Sequence, residues 1–256
     1  MNCKNCELHL EENTNYCSDC GAKVIRNRLT IRNLFEHITE TFFNYDNKLL
    51  RTLRDLTVRP QIVIDDYVSG VRMRYVNPIS LFALVLTISG ISLFILQKFY
   101  ADALDLRPIM EQSGIYTEEM LDQLDESTGS VMEYSSLIYS AMVPVFALIS
   151  ALIFYDKRYN LTEHVIIYLY SMSILSLFSV VTMQLVLMIN SNWYWGLSLL
   201  IWPIMFVYHS FLLKKLFKLT GWELVLRGMM ALFLFIASYI GIVLIGVAVA
   251  IISKQF

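Results

Sequence analysis

Polar and apolar positions are interleaved up to Pro78 and segregate sharply beyond it. Five stretches contain no Asp, Glu, Lys or Arg: Ile79–Leu96, Ser135–Tyr155, Val165–Ile189, Leu197–Leu213 and Gly228–Ile252. Their lengths of 18, 21, 25, 17 and 25 residues lie close to the ~20 that a helix needs to cross a ~30 Å hydrocarbon core. Only a helix keeps its backbone hydrogen bonds internal in lipid, so each stretch is predicted to be a transmembrane helix. The other way to hide such runs, as buried helices of a large soluble core, does not suit five of them in 256 residues. The predicted fold is all-α: a polytopic domain over 79–256 with spans at 79–96, 135–155, 165–189, 197–213 and 228–252.

The pattern before the first span is different. From Thr30 the apolar residues Ile31, Leu34, Phe35, Ile38 and Phe42 recur at the i, i+3, i+4, i+7 spacing of one helical face. Asp46 or Asn47 can cap a second helix carrying Leu49, Leu50, Leu53 and Leu56, and Pro60 opens a third that stops at Gly70. Basic residues are interleaved throughout, from Arg26 to Arg74. Segment 25–78 therefore reads as amphipathic helices at the cytoplasmic membrane surface. They either lie along the leaflet, with cations near anionic headgroups, or pack on the ends of the spans.

Composition agrees with lipid: 56% of residues are hydrophobic and 16% charged, against about 45–50% and 25% in soluble domains. The net charge of −2 offers no basic excess for nucleic acid. The distribution of Lys and Arg says more than their total. Residues 1–78 hold eleven, the 156–164 loop holds Lys157 and Arg158, and the 214–227 loop holds Lys214, Lys215, Lys218 and Arg227. The other side has only Lys98, Arg107 and Lys254. Positive flanks resist translocation, so the N-terminus is expected in the cytoplasm and the C-terminus outside. The acidic loop 97–134 then faces outward. A polar, Cys-rich start fits no cleavable signal peptide.

All four cysteines fall in the first twenty residues, as Cys3-Lys4-Asn5-Cys6 and Cys17-Ser18-Asp19-Cys20. Two C-x₂-C pairs are the spacing by which two tight turns present four thiolates to one tetrahedral zinc ion. Gly21 suits the second turn, because glycine relieves backbone strain there. Disulfides would need an oxidising compartment, and a redox pair would need only one motif. An iron–sulfur cluster also takes four thiolates, but the paired knuckles favour zinc. Residues 1–24 are thus read as a zinc ribbon with Cys3, Cys6, Cys17 and Cys20 as ligands, too short to build a core without its metal. Four Cys ligands leave no open position for water, so the zinc is structural. His9, between the pairs, is read as a solvated side chain.

Inside the spans the polar content is small. It comprises Gln184, His209, hydroxyls in the first span, and the run Ser171, Ser173, Ser176, Ser179 and Thr182 in the third. Such hydroxyls let helices approach closely, or else line a solvated groove. Pro144 and Pro203 are expected to kink their helices. Ala237, Gly241, Gly246 and Ala250 give the last span a close-packing face for intrachain contact or for an oligomer. Glu163, His164 and His209 share a predicted depth, and could form a metal-binding or proton-moving cluster or simply satisfy helix ends. No H-E-x-x-H, nucleophile elbow or phosphate-binding glycine loop is present. No enzyme is expected.

Several residues also resemble a known family. They run from Cys17-Ser18-Asp19-Cys20-Gly21-Ala22-Lys23 through Arg28-Leu29-Thr30 and Asp46-Asn47-Lys48 to Thr52-Leu53, Arg59-Pro60 and Asp66-Tyr67-Val68-Ser69-Gly70. Arg72, Arg74-Tyr75, Asn77-Pro78, Tyr159, Glu163 and His164 continue the pattern. The chain resembles an integral membrane family, common in Bacteroidetes, of unknown function with an N-terminal zinc ribbon. That family usually has Pro-Gly where this chain has Pro60-Gln61. The resemblance implies a bacterial inner-membrane location and a metal but carries no activity. The expected role is a non-enzymatic membrane protein whose zinc head docks a protein partner or the membrane surface. A transporter or channel for a neutral solute or lipid is the alternative, and a membrane enzyme using Glu163, His164 and His209 a distant third.

Overall fold

A computed structural model describes residues 1–11, 14–24, 30, 48–105, 107, 110–111 and 115–253, without the side chains of 125, 126, 130, 131, 239 and 242–253. The helix expected over 31–42 lies outside the described residues. The chain divides into two compact units, Met1–Asn47 and Lys48–Phe256.

In the first unit each Cys pair sits in its own tight turn, closed by an isolated antiparallel bridge, Asn2 with His9 and Tyr16 with Lys23. The two turns repeat bond for bond at an interval of fourteen residues. The Cys3 amide donates to the Leu8 carbonyl (2.8 Å) and the Cys17 amide to that of Ala22 (2.9 Å). Glu7 donates to Cys3 (2.9 Å) as Gly21 does to Cys17 (3.0 Å), and Leu10 to Met1 (2.7 Å) as Val24 does to Asn15 (2.9 Å). Cys3, Leu10 and Cys17 form a small buried cluster, with Cys6, Ala22 and Val24 against it.

The second unit is helical. Two short helices, α1 (Lys48–Val58) and α2 (Pro60–Val68), precede five long ones: α3 (Pro78–Phe99), α5 (Ser135–Ile153), α6 (Leu161–Ile189), α7 (Tyr194–Phe217) and α8 (Gly221–Ser253). A further helix, α4 (Glu118–Glu133), lies between α3 and α5. The five long helices are long and apolar enough to cross a membrane. Each starts at or before the edge of its charge-free run, because polar residues serve as caps rather than as boundaries. Asn77 accepts from the Ile79 amide at 2.9 Å with Pro78 at the first turn of α3. Asn160 and Glu163 form a reciprocal capping box on α6, with bonds of 2.7 and 3.0 Å. Thr220 and Glu223 do the same on α8, which therefore begins seven residues before the expected Gly228.

α6 is the central member, packed against α3, α5 and α7. Phe82 of α3, Val143 and Ala147 of α5, and Tyr168 and Met172 of α6 make one buried cluster. At the far end Leu96, Ala103 and Leu187 make another, joined by Tyr100 and Tyr194. α8 meets α5 through Phe146 stacked on Phe235 (5.6 Å), but no residue of Gly221–Ser238 is buried. In a bilayer, lipid is the medium for that surface.

α1 and α2 pack on one end of this bundle. Leu56, Val63 and Ile64 are fully buried. Tyr208 of α7 donates to the Leu56 carbonyl at 2.8 Å, and Lys215 to that of Val58 at 3.3 Å. Both carbonyls belong to the last turn of α1, which lacks partners within its own helix. Of the two arrangements open to these helices from sequence, the structure shows packing against the ends of the spans.

Candidate functional site

The four cysteines converge. Their sulfurs all lie within 4.8 Å of one another, with Cys3 to Cys20 at 3.7 Å and Cys6 to Cys17 at 3.5 Å. A tetrahedral zinc with ~2.3 Å bonds to sulfur has edges of about 3.8 Å, so the spacing fits one ion. Both close pairs link one turn to the other, as a shared metal requires. All four are free thiols. Their environments differ: hydrogen bonds from the Asn5 side chain and the Ala22 amide hold the Cys20 thiol down at about 6. The Leu8 amide pulls the Cys6 thiol down, but its sulfur neighbours, with Cys20 the strongest, and burial outweigh it and push that thiol up to about 12. Four thiolates so close repel one another, and a bound cation relieves the repulsion.

Gly21 has φ +69° and Glu7, its counterpart in the first turn, φ +62°. The sequence reading found the glycine and missed Glu7. The signal was available, since both residues directly follow the second cysteine of a C-x₂-C pair. His9 is hydrogen-bonded to Asn2 across 3.3 Å and is not among the sulfur ligands.

Glu163, His164 and His209 are each engaged separately. Glu163 caps α6 through Asn160, as described above. His164 is fully buried, with Nδ1 3.0 Å from the Ser150 hydroxyl of α5 and the ring stacked on Phe217. Among the described residues its Nε2 has no hydrogen-bond partner. His209 places Nε2 3.3 Å from the Ser171 hydroxyl and Nδ1 3.0 Å from the Met205 carbonyl, and stacks on Tyr168. Among the described residues no hydrogen bond or ring contact joins the three to one another.

The other intramembrane polar groups follow the same pattern. Ser176 meets Ser89 of α3 at 3.0 Å. Gln184 donates to the Ser92 carbonyl at 3.1 Å and to its hydroxyl at 2.5 Å. Tyr139 of α5 donates to the Met172 carbonyl at 2.8 Å. From His164 to Gln184 these contacts run along twenty residues of α6, about 30 Å of helix, and tie α6 to its neighbours in turn. Ser173 bonds back to Leu169 of its own helix instead.

A second dense region surrounds the end of α1. Asp55 is almost fully buried, and accepts hydrogen bonds from Tyr75 (3.0 Å) and Arg59 (3.2 Å). Burial, then Asp55 itself, raises the Tyr75 hydroxyl above its ordinary value. The Thr52 hydroxyl donates to Lys48 at 2.7 Å and accepts from the Val76 amide at 3.0 Å, while Tyr170 of α6 donates to the Val76 carbonyl at 2.7 Å. Asn77 donates to Tyr67, and Arg74 pairs with Asp66, each at 3.1 Å. Arg158 and Tyr159 both hydrogen-bond Asp65 in the wall of a pocket of about 240 Å³ that Asp66, Ser69 and Glu163 also line.

A family model described as "Protein of unknown function (DUF3667)" matches residues 46–90. No curated protein and no solved structure matches the chain. The matched segment contains α1, α2, the connection to the first span and the first half of α3. It therefore includes Thr52, Asp55, Arg59, Tyr67, Tyr75, Val76 and Asn77, whose bonds hold this region closed. Sequence reading places Thr52, Arg59, Tyr67, Tyr75 and Asn77 in a resemblance and does not single out Asp55 or Val76. The pairing of Asp55 with Tyr75 crosses twenty residues, and no local period announces it.

Proposed function

We propose that this chain is a non-enzymatic protein of the bacterial inner membrane, anchored by its five spans, with a cytoplasmic head that holds one structural zinc ion and docks a protein partner or the membrane surface. The observation that carries the reading is the four-sulfur site. Its donors are soft, their spacing suits a tetrahedral ion, and four protein ligands leave no place for a reacting water. Zinc, when bound, supplies folding free energy to a segment with almost no core of its own. The charge asymmetry of the loops supports a cytoplasmic head. The paired C-x₂-C motif and the matched segment support kinship with the zinc-ribbon membrane family common in Bacteroidetes. The spending of intramembrane polar groups on helix–helix contacts supports an anchor rather than a solute path.

Metal analysis of the purified full-length protein tests the first part, with one zinc per chain expected and a value near zero overturning it. Crosslinking in cells followed by pull-down tests the second. Partners captured by the native chain should be lost when Cys17 and Cys20 are both replaced by Ser. An unchanged set of partners, with the spans still inserted, would remove the docking role.

A further inference from the structure

The four residues Val71-Arg72-Met73-Arg74, between α2 and the first span, are all exposed. Met73 is 85% exposed, the largest value among the described large apolar side chains, and Val71 is 45% exposed. Leaving a methionine in water forfeits the free energy of burying it, whereas Tyr75 and Val76 immediately after are buried. Gly70, at φ +105°, turns the chain out of α2 into this tetrapeptide.

Its cations are held in place rather than loose. Arg72 lies over the Tyr67 ring at 5.6 Å and Arg74 over the Tyr75 ring at 5.5 Å. Tyr67 is in turn fixed edge-on against Tyr170 at 5.9 Å. Arg74 is neutralised by Asp66, whereas Arg72 has no carboxylate partner among the described residues. The tetrapeptide therefore offers alternate apolar side chains and one standing positive charge.

Depth follows from α6. Its 29 residues extend about 43 Å, roughly 13 Å more than the hydrocarbon core. Tyr170, nine residues into α6, bonds the Val76 carbonyl, so the chain just before the first span is held level with the third turn of α6. Pro78, two residues after Val76, opens the first span, so this stretch of chain lies at the boundary of the core. Two residues past Asn77, Ile79 is 67% exposed on the lipid-facing surface of α3. The tetrapeptide ends four residues before Pro78, the first residue of that span, and so stands at headgroup depth.

We infer that residues 71–74 are a lipid-binding foot: Val71 and Met73 enter the boundary between headgroups and acyl chains, and Arg72 binds the phosphate of an anionic phospholipid. The inference rests on insertion of the spans and not on the zinc head. A basic residue near a charged membrane surface is worth about 1 kcal/mol, which corresponds to roughly fivefold in relative occupancy.

The test uses the full-length protein in nanodiscs of mixed phosphatidylcholine and phosphatidylglycerol. Lipid retained on transfer to mild detergent is counted by native mass spectrometry. The native chain should retain phosphatidylglycerol in preference, and Arg72→Gln should lower the phosphatidylglycerol to phosphatidylcholine ratio about fivefold, with the unfolding temperature unchanged. An unaltered ratio overturns the proposal, whether a protein or nothing occupies the foot instead. A second measurement needs no variant. In water Met73 should oxidise faster than Met120, which is 46% exposed. Hydroxyl-radical labelling in nanodiscs should reverse that order, and a faster Met73 would overturn the proposal as well. Neither readout involves the metal, so failure here is distinct from failure of the zinc head.

Discussion

Glu7 and Gly21 occupy the same place in the two turns of the head, both with positive φ. A side chain in that region costs about 1–2 kcal/mol, which glycine avoids. A Cβ on Gly21 would meet nothing within 4 Å, so Gly21→Ala isolates backbone strain from crowding. Because metal binding and folding of such a head are one equilibrium, Gly21→Ala should weaken metal retention about fivefold to thirtyfold in a chelator competition. Glu7→Gly should move retention the other way, by less, since glycine also loses more chain entropy on folding. Tyr159 gives a second prediction at this scale. Burial first, then its bond to Asp65, raise its hydroxyl to about 12. The folded value lies above the ordinary ~10, so the group's contribution is complete below about pH 10 and is lost as pH rises toward 12. In alkaline unfolding Tyr159→Phe should flatten that part of the stability profile.

Helices in this protein are defined by their ends as much as by their apolar bodies. Asn160→Ala removes half of the capping box on α6 and should cost about 1 kcal/mol, read as a lower unfolding temperature in detergent. Glu163→Gln keeps a side-chain acceptor for the Asn160 amide and should be nearly silent. That pair of outcomes also separates a capping role from any chemistry at Glu163. The loop before α6 is tied to α8 by Arg227, which bonds both Asp156 oxygens at 2.7 and 2.8 Å and the Ile153 carbonyl at 2.9 Å. Arg227 holds the Asp156 carboxyl down at about 2. Here the folded value lies below the ordinary ~3.9, so the stabilisation is present above about pH 4 and disappears as pH falls toward 2. The stability gap between the native chain and Arg227→Gln should close over that range. Elements were the most legible feature of the sequence, because absence of charge over some twenty residues has one structural solution in lipid. Their starts were less so. Treating Glu163 and Arg227 as boundaries ignored two S/T/N-x-x-E signatures, Asn160 to Glu163 and Thr220 to Glu223, that were plainly written.

For the molecule as a whole, periodicity says that five helices cross but not which ones touch. Lipid is as apolar as a leucine side chain, so hydrophobicity cannot select neighbours. Selection falls to sparse polar contacts such as Ser89 with Ser176, Ser92 with Gln184, and Ser150 with His164, and each joins residues on different helices. A meeting of His164 and His209, one of the two readings open from sequence, has only common depth behind it, and depth fixes one coordinate out of three. The cysteines, by contrast, were legible because four ligands in two short motifs specify their own geometry. Orientation is a prediction at this scale. A reporter active only outside the cytoplasm should give signal when fused in the acidic loop near residue 128 and none when fused near residue 159. The opposite result would place the head outside and make disulfides the natural state of its cysteines.

The bond-for-bond repeat of the head has a consequence for how such heads vary. Both close sulfur pairs, Cys3 with Cys20 and Cys6 with Cys17, reach from one turn to the other. The two turns are therefore joined twice, once by peptide and once through whatever sits between the sulfurs, and the peptide join carries no ligand. Its length is a matter of chain statistics: doubling such a loop costs only about 0.6 kcal/mol. Drift during evolution should accordingly leave each half intact while letting the spacer between them grow or shrink. Kindred sequences are better sought by two independent half-motifs than by any fixed interval.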